Sequence, residues 1–543
     1  MLMVEAFVVL LGHLDRGAFP KIAGQELQWK ICISMFQACF RTLLEQDEDG
    51  SWGGQPEQSC YAILTLAQAR NVCLFDDIQA KIQSSIDRGT QFLGSRGLHQ
   101  DDYNWTAKTA YRLVFVAEAY EIAALKVRQP TDAVGSVGRS LTLPLPSANM
   151  DGFVNLIKRT PLFSTMPDWK LRASLLESSL FVPLLRSRRT DIFARDEFPI
   201  SKESYLDLIP FSWIGCNNRG GYLSSTAWLY EMMLLSMFSF QVDEFIESVA
   251  APALQDVSSL RDIIDNVIDR VSRLNSATGA AASNGTNGTH GVGPVDASST
   301  GSLEARKVTS SLTRFVEYAL HHESVQASSP WDRENLRREL RAYLYSQATH
   351  TEENARFQTL DPRDGNVYTS TERTFFDWVR TTGTNDVAVV FPFAFACCLL
   401  SSSPGAGAEV FPTVTEKYLA TAAVRHLATM CRMLNDVGSA ARDNAERNLN
   451  SIHFPEFDNS RSDGPPGDAA VARKKQLLMK LCGYEGSLVT RTLGLLEEEV
   501  QRTSNVGVNR LQKRKMAYVN LYRDVTDIWG QLYVLKDLSS SLK

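Results

Sequence analysis

Apolar residues return at intervals of three and four along most of this chain, and that period commits it to helices. Val4–Leu14, Leu27–Leu44, Cys60–Ala69, Ala107–Val127, Leu171–Leu185 and Thr226–Val249 all carry the pattern. So do Leu336–Tyr345, Thr413–Asn435, Lys474–Thr503 and Val506–Leu535. Each would place an apolar stripe on one side of a 3.6-residue turn. Pro412 stands just before one of them, where a helix start tolerates a residue without an N–H. Alternating strand patterns are scarce. The expected fold class is all-α, and 543 residues exceed what one core fills, so two domains are expected.

The first, residues 1–130, is a helical domain of α/α-barrel type. In it Asp47–Gly54 reads DEDGSWGG, a turn whose Trp52 would cover a helix end by packing and by its indole N–H. The second is residues 131–543. Within it Ser276–Gly301, rich in Ala, Ser, Gly, Thr and Asn, reads as a flexible loop. The sequons at Asn284 and Asn287 are attributed to that composition. Asp458–Asp468, with Pro465 and Pro466, reads as another loop.

A net charge of −6 leaves no basic field, which argues against nucleic acid as a partner. Nine cysteines without a CxxC pair read as reduced thiols of a cytoplasmic protein. Met1–Leu11 carries Glu5 and lacks a basic leader, so no signal peptide is expected. No run of 18 apolar residues suggests a membrane span.

Two acidic constellations carry the chemistry. Asp243 and Glu247, four apart with Glu244 beside them, share one helix face. Such a patch fits a solvated surface, but a divalent cation would also relieve its repulsion, and Mg²⁺ prefers a few carboxylates together with phosphate oxygens. Further on, Asn435, Ser439 and Asp443 recur at i, i+4 and i+8 and line up an amide oxygen, a hydroxyl and a carboxylate. Arg432, three residues before Asn435, lies near that face and could meet a phosphate. A polar surface stripe is the plainer reading of this second motif alone. Facing each other across an apolar cavity, the two stripes would hold a diphosphate over a hydrocarbon chain.

At these residues the chain resembles fungal bifunctional diterpene synthases of the ent-copalyl diphosphate/ent-kaurene synthase type. Asp243–Glu247 (DEFIE) looks like a variant of the family's aspartate-rich motif, and Asn435, Ser439 and Asp443 look like its second motif. The flanks agree: IPFSWIGCNNRGG from Ile209, FFDWVRTT from Phe375, RDNAERNLNSIHFPEF from Arg442 and LYRDVTDIWGQLYVLKD from Leu521. The resemblance implies a class I α domain. Its metal ligands would be Asp243, Glu244, Glu247, Asn435, Ser439 and Asp443, with Asp243, Asn435 and Asp443 essential to catalysis and Arg432 and Arg442 on the diphosphate. Mg²⁺ would be the cofactor and copalyl diphosphate the substrate. Residues 1–130 resemble only the end of the family's class II region, including WTAKTAYRLVFVAEAYEIAALKV from Trp105. The class II motif D-x-D-D is absent from this sequence. A separate class II cyclase would therefore supply the substrate. Alternatives are a cyclase acting directly on geranylgeranyl or farnesyl diphosphate, and an inactive truncated relative.

Overall fold

The expected helices form, and among the described residues no β-strand accompanies them, only an isolated bridge between Val72 and Val137. The structure is a computed structural model. It describes residues 1–18, 25–96, 114–127, 137–138, 147–194, 205–254, 256–281, 303–360, 367–368, 373–402, 407–458, 468–503 and 510–535. The sequons, residues 282–301 of the Ser276–Gly301 segment, residues 459–467 and residues 105–113 lie outside them. Ser276–Ala281, read from the sequence as loop, continues a helix instead.

Two compact units result, residues 1–158 with 163–187 and residues 159–162 with 188–543. The first contains α1 (Leu2–Asp15), α2 (Gln25–Leu44), α3 (Pro56–Ala69), α4 (Gln79–Arg96), α5 (Val114–Lys126), α6 (Ser147–Lys158) and α7 (Asp168–Ser179), with α8 (Val182–Arg188) at its end. Phe36 stacks on Phe75 at 5.1 Å, and Phe40 meets Trp169 of α7 edge-on at 6.1 Å. Gln37 donates to Glu177 at 2.9 Å. These contacts draw α7 into the first unit, so that unit continues past residue 130, where the sequence reading divided the chain. Trp52 is buried and its indole N–H donates to the Thr42 carbonyl at 2.7 Å. It thereby satisfies one of the carbonyls that the last turn of α2 leaves without a helical partner. The apolar run Leu171–Leu185 breaks at Leu180–Phe181 between α7 and α8.

The second unit contains α9 (Tyr205–Gly220), α10 (Thr226–Phe245), α11 (Ala251–Leu254), α12 (Val257–Ala281), α13 (Leu303–Leu320), α14 (Glu323–Gln326) and α15 (Pro330–Thr359). It continues with α16 (Phe375–Arg380), α17 (Thr382–Asp386), α18 (Val390–Ser402), α19 (Val414–Glu446), α20 (Asp468–Thr503) and α21 (Arg510–Leu535). α19 is its spine and packs along both α20 and α21. Two glycines set the second contact. A Cβ on Gly438 would fall on the Tyr533 carbonyl, and one on Gly530 would enter the Leu434 side chain. α19 and α21 therefore approach as closely as their backbones permit.

One buried ion pair ties the three helices. Lys515 Nζ of α21 lies 3.0 Å from Glu416 Oε2 of α19, with exposures of 1% and 0%. Thr503 of α20 donates to the other Glu416 oxygen at 2.9 Å. Removing one member of such a pair strands a charge in the interior. Lys515→Ala is expected to lower unfolding free energy by about 3–5 kcal/mol, measured by urea denaturation. Lys515→Arg is expected to recover part of it.

Candidate active site

The first acidic motif sits where α10 changes its hydrogen bonding. The helix starts on Ser225, whose hydroxyl accepts the Trp228 N–H at 3.3 Å. Its long apolar run is buried through Val242. Tyr343 of α15, fully buried, donates its hydroxyl to the Ser239 carbonyl at 3.0 Å. Directly after Phe245 the chain widens into a π-turn, Ile246–Ala250, in which the Ala251 N–H reaches back to the Ile246 carbonyl. The regular helix expected to Val249 thus ends four residues early. Inserted π-turns cost hydrogen-bond geometry and occur most often at functional sites. Here Asp243 and Glu244 stand at the end of the regular helix and Glu247 in the turn itself.

Asp243 touches solvent. Its carboxyl is nevertheless held well above the ordinary carboxylate range, first by the protein mass around it, then by Glu247 and Asp386, with Arg432 opposing. Tyr343 and Tyr533 share this surrounding. Each is raised first by burial, and each also feels the Asp243 charge. Asn435 opposes the rise of Tyr533. Helices α10, α15, α17, α19 and α21 therefore bring Asp243, Tyr343, Asp386, Arg432, Asn435 and Tyr533 to one region.

On α19 the stripe is more elaborate than its spacing suggested. Asn435 is half-buried, while Ser439 and Asp443 are buried. Ser439 Oγ donates to Asp443 Oδ2 at 2.6 Å. Arg442 approaches the other oxygen, Oδ1, at 3.2 Å and lies 3.9 Å from Glu446. Arg432, assigned from the sequence to a diphosphate, is only 8% exposed and already engaged. Its Nη1 donates to Asp386 Oδ2 at 3.0 Å, its Nε lies 3.0 Å from Asp436 Oδ1, and its guanidinium stands 5.1 Å over the Trp378 ring. Trp378 in turn donates to Glu353 at 2.7 Å, and Glu353 pairs with Arg373 at 2.9 Å. Burial raises the Asp386 carboxyl to about 7, against the pull of Arg432 and with Asp436 and Glu353 adding to the rise. His350, 3.8 Å from Asp386, is pushed down to about 3 by burial and by Arg432.

Sequence reasoning missed Asp386, Trp378, Glu353 and His350. The available signal was a polar run, Thr381–Asp386, wedged between the aromatics of Phe375–Trp378 and the apolar Val387–Leu400. It also missed the return turn after α19. Arg447, with φ of 57°, ends the helix in the left-handed region. The chain then doubles back through Ser451–His453, anchored by Ile452, Phe454 and Phe457 in a core with Trp378, Phe375 and Val437. In that turn His453 Nδ1 accepts the Asn450 N–H at 3.1 Å and its Nε2 faces Asn444 Oδ1 at 2.7 Å. That pairing requires a neutral ring protonated on Nε2.

Among the described residues no three His, Cys, Asp or Glu side chains converge as a ready-made metal cage. The donor set still suits a hard cation that brings phosphate ligands of its own. It offers like carboxylates crowded around a solvent-reached Asp243 on one side, and an amide, a hydroxyl and a carboxylate on the other. Among the aromatic side chains, Phe391 stacks on Tyr343 at 5.4 Å beside this region. Trp213 and Trp228 pack on each other at 5.6 Å, and Phe395 is fully buried against Tyr318 and His322.

An all-α fold that carries these two stripes on α10 and α19 has the character of a terpene synthase α-helical domain. No protein-family model matches the chain. Over its full length, however, the chain is 42% identical to the ent-kaur-16-ene synthase of Fusarium fujikuroi and 45% identical to that of Phaeosphaeria sp., covering 55% and 56% of those proteins. It is 34% identical to the phyllocladan-16-alpha-ol synthase of Phomopsis amygdali, over 99% of this chain and 55% of that one. The chain is thus a homologue of fungal diterpene synthases of the ent-kaurene synthase type and spans about half the length of the curated relatives it matches.

Two measurements test this geometry. Burial holds His453 down from 6.5 to about 4. Between those values the unfolded chain takes up a proton that the folded chain refuses. Stability from this group is complete above pH 6.5 and drains away as pH falls towards 4; His350 acts in the same sense. Thermal melts across that window are expected to show the loss, with a shallower slope in His453→Gln. Separately, Gly438→Ala is expected to force α21 outwards, costing about 1–3 kcal/mol as overpacking does, and to lower turnover at least tenfold.

Proposed function

We propose that the second unit is a class I diterpene cyclase that ionises an isoprenoid diphosphate and folds the resulting carbocation into a cyclic product. The observation that carries this is the convergence of Asp243, crowded by like charge yet open to solvent, with the Asn435–Asp443 face of α19. Asp243, Glu244 and Glu247 on one side and Asn435, Ser439 and Asp443 on the other would hold Mg²⁺. Bound there, Mg²⁺ supplies the positive charge that a departing diphosphate requires. Asp243, Asn435 and Asp443 orient the leaving group. Arg442, half-buried beside Asp443, is placed to meet a phosphate oxygen. Arg432 acts through Asp386 and Asp436, holding α17 against α19. Tyr343 and Phe391 offer aromatic faces to a developing cation.

The relatives' names favour a C20 substrate, and copalyl diphosphate is the form we assign. Within these 543 residues there is no D-x-D-D. The alkene-protonating step needs a carboxylic acid kept protonated in an apolar site, so we assign it to a site outside these 543 residues.

Gas chromatography–mass spectrometry of products from the purified chain tests the assignment. Copalyl diphosphate with Mg²⁺ is expected to give a cyclic diterpene, and chelation of the metal to abolish it. Asp243→Ala and Asn435→Ala are each expected to reduce turnover at least a hundredfold with the fold intact. Geranylgeranyl diphosphate alone is expected to give no copalyl diphosphate. Cyclic product from geranylgeranyl or farnesyl diphosphate would reassign the substrate, and no product from any of the three would remove the catalytic role.

A further inference from the structure

The turn that follows α19 makes contacts that a simple helix stop does not need. Asn450 is fully buried, and its side-chain amide is divided between two tasks. Oδ1 accepts the Ile452 N–H at 3.2 Å and so starts the Ser451–His453 turn. Nδ2 reaches the opposite way, to Asp443 Oδ2 at 2.8 Å, the Asp436 carbonyl at 3.0 Å and Ser439 Oγ at 3.4 Å. The next residue, Ser451, donates its N–H to Asp436 Oδ2 at 3.0 Å and its hydroxyl to the same oxygen. Two consecutive residues thereby grip three side chains of the same α19 segment.

From this we infer that Asn450 is a positioning residue for the second ligand stripe, an inference that rests on the metal-site reading above. Asp443 Oδ2 receives two neutral donors, Ser439 Oγ–H and Asn450 Nδ2–H. Its capacity is spent. Oδ1 receives only the longer contacts of Arg442, at 3.2 and 3.4 Å, so it is the oxygen offered outwards. Ser439, having directed its proton at Asp443, accepts only the long Asn450 contact and keeps a lone pair for another partner. Without the Asn450 amide, both side chains regain rotamer freedom that a cation must then remove on binding. The His453 contact to the Asn450 N–H and the burial of Ile452 and Phe454 hold the amide in place.

The test titrates Mg²⁺ at fixed inorganic diphosphate and reads the rise in melting temperature, alongside turnover of copalyl diphosphate over the same Mg²⁺ range. Asn450→Ser keeps an acceptor for the turn but is too short to reach Asp443. It is expected to melt within a few degrees of the parent and to need at least fivefold more Mg²⁺ for half-saturation, while Asn448→Ser on the same segment behaves as the parent. Where Asn450→Ser folds poorly, Asn450→Asp keeps the acceptor and shape and replaces the donor with a like charge. It is expected to move the half-saturating Mg²⁺ at least fivefold in one direction or the other. Unchanged Mg²⁺ dependence in the folded variant would overturn the positioning role, whatever its melting temperature. A parent protein not stabilised by Mg²⁺ with diphosphate would instead overturn the metal site itself, and the inference with it.

Discussion

A single guanidinium, that of Arg432, sits in the interior between Asp386 and Asp436, and much of the second unit is arranged around it. Removing a charge from water costs several kcal/mol, which only close partners and further hydrogen bonds offset. Here the offset comes from two helices besides the one that carries the arginine's own partner Asp436. α17 contributes Asp386, and α16 contributes the Trp378 face. The partners are themselves held. Ser451 fixes Asp436, and Glu353 fixes the Trp378 indole. Burial is the main reason that Asp386 rises to about 7 against the pull of Arg432, and the neighbouring Asp436 and Glu353 add to the rise. Such a cluster tolerates little displacement, so it sets where Asn435, one residue from Asp436, can stand.

Close packing does the rest. Gly438 lies inside the second motif, between Asn435 and Ser439, and lets α21 approach until its Tyr533 carbonyl fills the space a side chain would need. The same approach brings Tyr533 beside both Asn435 and Asp243. On α10 the π-turn after Phe245 sacrifices regular hydrogen bonding at the point where the carboxylates gather. Both devices bring polar groups together in a region otherwise built from apolar and aromatic side chains.

Much of the fold was legible because amphipathic periodicity survives any tertiary arrangement. The runs at Thr226, Thr413 and Lys474 became α10, α19 and α20 because an apolar stripe must be buried against something. The breaks were less legible. Nothing in the spacing of Leu171–Leu185 announced the interruption at Leu180, and the first unit's extension beyond residue 130 depends on Trp169 meeting Phe40 and Lys81. In the candidate site, i, i+4 spacing sufficed to group Asp243 with Glu247 and Ser439 with Asp443. It assigned Arg432 to a phosphate because spacing along one helix says nothing of the carboxylates that other helices deliver.

The sequence by itself determined that the chain is helical, which residues carry hard oxygen donors, and which helix faces bear them. These are local properties, set by side-chain chemistry and a fixed angle per residue. Only the tertiary structure decided that Asp386 and Trp378 would enclose Arg432, that Tyr533 would feel both Asp243 and Asn435, and that Asn450 would fold back onto Ser439 and Asp443. Those contacts join residues from separate helices and turns. They exist because burying the apolar faces of α15 to α21 together leaves one arrangement in which the charged groups inside find partners, and no local pattern encodes which partner that is.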